Sequence, residues 1–89
     1  MNDELKQHLV MALTTYDRKC ANRPGYNRNA LGIYFGALDD AMAMIDTGAT
    51  VRAALLRCYC GRVLSVVLKA AGEPTFTHAE EMAQPLTRD

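Results

Sequence analysis

Five side chains in the sequence have the chemistry to ligate a metal or attack a substrate: Cys20, Cys58, Cys60, His8 and His78. A zinc site needs ligands that converge on one tetrahedral point, usually from a turn with two to four residues between cysteines. Cys58-Tyr59-Cys60 lies instead in an apolar run that reads as helix. Residues two apart on a helix diverge by about 200°, so the two thiols are expected on opposite sides, filling small gaps among apolar neighbours. No metal and no cofactor are expected.

Nucleophilic catalysis needs a base in reach of an electropositive, partly open thiol. On a continuous helix Cys58 shares a side with Arg62 and Lys69, which favours a thiolate, but both histidines belong to the terminal regions. The adjacent acids Asp39 and Asp40 diverge by about 100° on a helix and do not form a carboxylate dyad. The expectation is a protein without catalytic residues.

Binding chemistry is better represented. Arg18, Lys19, Arg23 and Arg28 surround a turn that also holds Tyr26 and three asparagines. Guanidinium forks suit phosphates and carboxylates, and a helix beginning near Arg28 adds oriented N–H groups. Tyr26 is an aromatic able to stack on a base or anchor a protein partner. These five are the candidate partner- or anion-binding residues. The competing reading is a solvated connection in which Tyr26 is buried.

A second candidate surface is a strip of small residues. Gly32 and Gly36 form a GxxxG pair continued by Ala43, and Ala54, Gly61 and Ser65 make a similar strip further on. A helix-interior glycine costs about 1 kcal/mol relative to alanine, so two of them call for a reason. Folding the chain back at residues 47–50 sets Gly36 level with Gly61, Gly32 with Ser65, Ala43 with Ala54, and Asp40 with Arg57. The candidate helix-contact strip is therefore Gly32, Gly36, Asp39, Asp40, Ala43, Arg57, Gly61 and Arg62. Burying Asp39, Asp40, Arg57 and Arg62 is costly unless they are well paired. That cost favours an arrangement in which the large apolar faces pack together and the strips look outward.

Helices must position these groups. Leu5, Leu9, Ala12, Leu13, Tyr16 and Cys20 share one arc of a helix predicted over about 3–20, with Asn2 as its cap and Asp3 and Glu4 at the positive end of its dipole. Pro24-Gly25 breaks it, and Asn27 or Asn29 can cap the next. Leu31, Tyr34, Phe35, Leu38, Met42 and Ile45 predict a second helix over about 28–46, stopped at Gly48. A third, over about 51–71, starts after Thr50 and stops at Gly72-Glu73-Pro74. Its apolar arc covers half the circumference, and the valines of 63–68 keep the helical period. Thr77-His78-Ala79-Glu80 matches a capping box for a short fourth helix near 78–84, and Pro85 ends it. The fold expected is all-α, a compact antiparallel three-helix bundle forming one domain over 1–84, with 85–89 as a loose tail.

The 89 residues fit a single core, with a stability on the order of 5 kcal/mol. Ten basic residues balance ten acidic ones, so bulk charge points to no polyanionic partner. An odd count of three cysteines, an acidic start without an apolar secretory core, and no membrane-length apolar run imply a reduced, cytoplasmic protein without a membrane partner. Helix one carries one narrow apolar stripe while helix three is half apolar, so the helices offer more apolar face than a three-helix monomer needs. The function expected is protein–protein binding as a regulator, inhibitor or assembly accessory, with self-association as a homodimer. The alternative is a nucleic-acid-binding module using the basic turn.

Overall fold

The computed structural model describes residues 2–75. The expected capping box at 77–80, the short helix near 78–84, the tail and the domain's end at 84 lie outside the described residues. All the regular elements within 2–75 are helices: α1 (Asp3–Cys20), α2 (Ala30–Asp46), α3 (Val51–Cys58) and α4 (Gly61–Ala70). The all-α bundle expected from the periodicity is present.

The expected third helix is two helices, and this is the main departure. Tyr59 (φ −130°, ψ 159°) and Cys60 (φ −146°, ψ 168°) are extended, and Gly61 follows with φ +62°. A left-handed residue of this kind is routine only for glycine. The apolar period survives the break because Leu55, Tyr59, Leu64, Val67 and Leu68 all point inward from their separate segments.

The break solves a packing problem. α1 packs on α2 and α4, and α3 packs on α2 and α4, so each helix has two neighbours in a closed ring. A straight helix over 51–71 has one axis and presents its apolar half in one direction. Bent at 59–60, the same residues cover α2 with their first half and α1 with their second. Much of the apolar surplus inferred for helix three is thereby consumed inside the chain. The core is built from Leu9 and Leu13 of α1, Leu38, Ala41 and Met42 of α2, Ala54 and Leu55 of α3, and Leu64, Val67 and Leu68 of α4, with Tyr59 between the last two.

The helix ends follow local chemistry, with two corrections. Asn2 occupies the cap position of α1 but makes no side-chain cap bond; its Nδ2 donates to Asp46 Oδ1 at 3.0 Å and ties α1 to the end of α2. Asn29 likewise precedes α2 without capping it, while Asn27 Oδ1 accepts from the Asn29 N–H at 2.8 Å. That turn keeps Arg28 out of the helix, so α2 begins two residues later than expected. Thr50 does cap α3, its Oγ1 accepting from the Ala53 N–H at 3.1 Å. Arg52 holds the segment leaving α4, donating to the Pro74 carbonyl at 2.6 Å and lying 3.9 Å from the Glu73 carboxylate. No described helix is long and apolar enough to cross a membrane.

Candidate functional site

The basic turn closes the α1–α2 hairpin. Arg18, Lys19, Arg23 and Arg28 are all exposed, and Tyr26 is half-buried. Tyr26 is not free to swing outward. Its hydroxyl is placed to donate to Asp17 Oδ1 at 2.9 Å and to the Tyr34 hydroxyl at 3.3 Å. Tyr34 in turn lies against Tyr16, with ring centroids 6.2 Å apart and planes tilted by 52°. Partial burial pushes the Tyr26 phenol well above its ordinary value, and its bonds to Tyr34 and Asp17 hold the proton further. The turn is thus a cationic rim around a tyrosine-lined root.

A second tyrosine anchor sits opposite. The Tyr59 ring is 4% exposed, and its hydroxyl donates to the Tyr34 carbonyl of α2 at 2.7 Å. Burial raises this phenol too, aided by Cys58 and Asp39 nearby. Sequence reasoning placed Tyr16, Tyr34 and Tyr59 on apolar arcs, but nothing in spacing alone pairs Tyr26 with Asp17. That contact depends on the path of the turn.

The α2 strip looks outward. Gly32, Ile33, Gly36, Asp39, Asp40 and Ala43 are exposed, and a methyl added at Gly32 or Gly36 would meet no described atom within 4 Å beyond the helix's own nearby backbone. Lys6 of α1 reaches Asp39 at 3.6 Å, between two exposed side chains. The level pairing with the later strip holds only in part. Asp40, Ala43 and Arg57 line one cleft between α2 and α3. Gly36 and Gly61 do not pack together, Ala54 is buried rather than stripe-forming, and the Arg62 charge is felt at Tyr16 of α1 instead. The bend at 59–60 is the cause, because it carries Gly61 and Arg62 away from the line of α3.

The same bend revises the cysteines. The α2–α3 cleft, about 610 Å³, is lined by Ala37, Asp40, Met44 and Arg57 together with both Cys58 and Cys60. The two cysteines therefore border one cleft instead of lying on opposite sides of a helix. Cys58 sits near Arg57 and Asp40, not with Lys69. Its thiol donates toward the Met44 sulfur at 3.9 Å. Cys20 is buried in the core, and none of the three cysteines is in a disulfide among the described residues.

A shallower groove of about 430 Å³ runs between α1 and α4, lined by Met11, Tyr16, Val66, Ala70 and the lysines Lys19 and Lys69. Met11, at 69%, and Ile33, at 59%, are the large apolar side chains most open to solvent among the described residues. Also among the described residues, no group of three or more His, Cys, Asp and Glu side chains could hold a metal ion. Comparison of the chain with protein-family models, curated proteins and solved structures finds no match.

Proposed function

We propose that this chain is a non-enzymatic helical protein that acts by binding protein, and that its first partner is a second copy of itself on the outer face of α2. One observation carries the reading. Gly36 in the interior of α2 costs about 1 kcal/mol against alanine, and Gly32 stands in its first turn, yet beyond the helix's own nearby backbone no described atom comes within 4 Å of where their Cβ atoms would be. Internal packing gives no reason for them. An external helix crossing α2 closely does, and Ile33 stands exposed beside them as an apolar contact.

Charge favours a second copy as the occupant. The face carries Asp39 and Asp40 on its second half and Arg28 just before its first. Two α2 helices crossing antiparallel at Gly36 under two-fold symmetry bring Arg28 of each copy toward the acidic half of the other. Zero formal charge means that copies do not repel one another at long range. Three cysteines without a disulfide among the described residues suit a reducing compartment, in keeping with a cytoplasmic regulator, inhibitor or assembly accessory.

Sedimentation equilibrium of the native chain tests this. The mass should rise above the 9.8 kDa monomer with concentration. Gly36→Leu and Ile33→Asp, both at exposed positions, should leave helicity intact and abolish the rise. The exposed bases Arg18, Lys19, Arg23 and Arg28 keep a second reading in view, that of a nucleic-acid module. Salt-sensitive retardation of duplex or single-stranded DNA, lost in Arg23→Ala with Arg28→Ala, would favour that reading over self-association.

A further inference from the structure

We propose that Cys58, Cys60 and Met44 form a binding site for a soft monovalent metal ion, of which copper(I) is the biological example. The backbone creates the site. Cys58 is the last residue of α3 and Cys60 the cap position of α4, and the residue between them is pinned. Tyr59 is extended and buried, with its hydroxyl bonded to the Tyr34 carbonyl at 2.7 Å. With Tyr59 held inward, Cys58 and Cys60 both line the α2–α3 cleft. Met44 comes from the facing helix, and its thioether is the group toward which the Cys58 thiol donates, at 3.9 Å.

The spacing suits a metal better than a disulfide. Two residues on extended backbone place their Cα atoms about 6.5–7 Å apart, at the far limit for a disulfide. Two sulfurs bound to one ion, by contrast, can sit up to about 4.6 Å apart, twice a metal–sulfur bond of about 2.3 Å.

The donor set selects the ion. Thiolate and thioether sulfurs prefer copper(I), whereas structural zinc wants four nitrogen, sulfur or oxygen ligands. No third His, Cys, Asp or Glu joins the two thiols in a metal-binding group among the described residues, so a tetrahedral zinc set is incomplete there. Two thiolates and one thioether complete a low-coordinate site. Binding is a ligand exchange without oxidation: two S–H bonds break, three copper–sulfur bonds form (two to thiolates, one to the thioether), the ligands the ion arrived with depart, and two protons leave to solvent. The resulting charge of minus one lies beside Arg57, which lines the cleft, and Cys60 stands at the positive N-terminal end of the ten-residue α4. The site adjoins the proposed α2 contact, since Asp40 and Ala43 border both, but its sulfur ligands are not part of that contact and its binding does not depend on it.

The test is an anaerobic titration of the reduced full-length chain with tetrakis(acetonitrile)copper(I), read by thiolate-to-copper charge-transfer absorption. Bicinchoninate serves as competing chelator, and zinc is run in parallel. The expected result is one ion per chain held against the chelator, two protons released per ion, and no comparable retention of zinc. Cys58→Ser with Cys60→Ser should lose the absorption while keeping the native helical spectrum. Met44→Leu should weaken retention by roughly tenfold, the lower end of what supporting groups contribute around metal sites. Undiminished binding in the double serine variant, or zinc held as firmly as copper, would overturn the proposal.

Discussion

Replacing Gly61 by alanine tests the bend at 59–60 through the sign of a stability change. Gly61 has φ +62°, and a methyl built on it meets nothing within 4 Å, so the substitution acts on the backbone alone. An L-residue in the left-handed region costs roughly 1–2 kcal/mol. Against that, alanine removes about 0.4–1 kcal/mol of unfolded-state entropy. The net expectation is a loss of about 0.5–1 kcal/mol, or several degrees in Tm for a domain of this size. Were residues 51–71 one continuous helix, the same change would replace a helix-interior glycine and stabilise by about 0.5–1 kcal/mol. The two geometries thus differ by more than 1 kcal/mol and in direction. Thermal and urea unfolding followed by far-ultraviolet circular dichroism, at one low protein concentration, resolves that gap. Gly32→Ala is the internal control, since Gly32 lies within α2 with equally open surroundings and should stabilise. A raised Tm for Gly61→Ala would refute the bend.

Other outcomes follow from the same contacts. Leu64→Ala removes a fully buried side chain at the α4 core position and should cost about 2–5 kcal/mol, most of the roughly 5 kcal/mol available, read as a large drop in the urea midpoint by circular dichroism. Thr50→Ala deletes the one side-chain cap seen among the described helices and should lower stability by about 1 kcal/mol in urea titrations. Tyr59→Phe removes the bond to the Tyr34 carbonyl and should cost about 1 kcal/mol at neutral pH. The phenols of Tyr26 and Tyr59 have folded-state values raised above the ordinary 10.0. The stability they contribute is complete below that value and is lost as the pH climbs toward the folded one, because the unfolded chain gives up its proton first. The urea midpoint should therefore be flat across mildly alkaline pH and fall above about pH 10, with a shallower fall in Tyr59→Phe.

Much of the fold was legible because the dominant signals are local. The stripe Leu9, Leu13 and Cys20 is buried as its spacing predicts, and Pro24-Gly25, Gly48 and Gly72 mark real ends, three of these glycines having positive φ. The bend was not legible because its evidence is ambiguous in sequence. Leu55, Tyr59 and Leu64 keep nearly helical spacing across it, and Gly61 reads equally well as a smooth packing residue or as a breaker. Only the need to cover both α1 and α2 decides between them, and that need is tertiary. The consequences for the candidate sites follow from this one point. The outward strip on α2 survives, since it depends on a single helix. The pairing of Gly36 with Gly61 and the opposition of Cys58 and Cys60 both assumed one straight axis, and they fail together.

We propose that the outer face of α2 receives a second copy of the chain. A dilution series of ¹⁵N-labelled protein, from millimolar to low micromolar, tests both the association and its location. Amide shifts at Gly32, Ile33, Gly36, Asp40 and Ala43 should move with concentration, while those lining the Met11–Val66 groove stay fixed. Shifts that are constant throughout, or that move in the groove and not on α2, would contradict it.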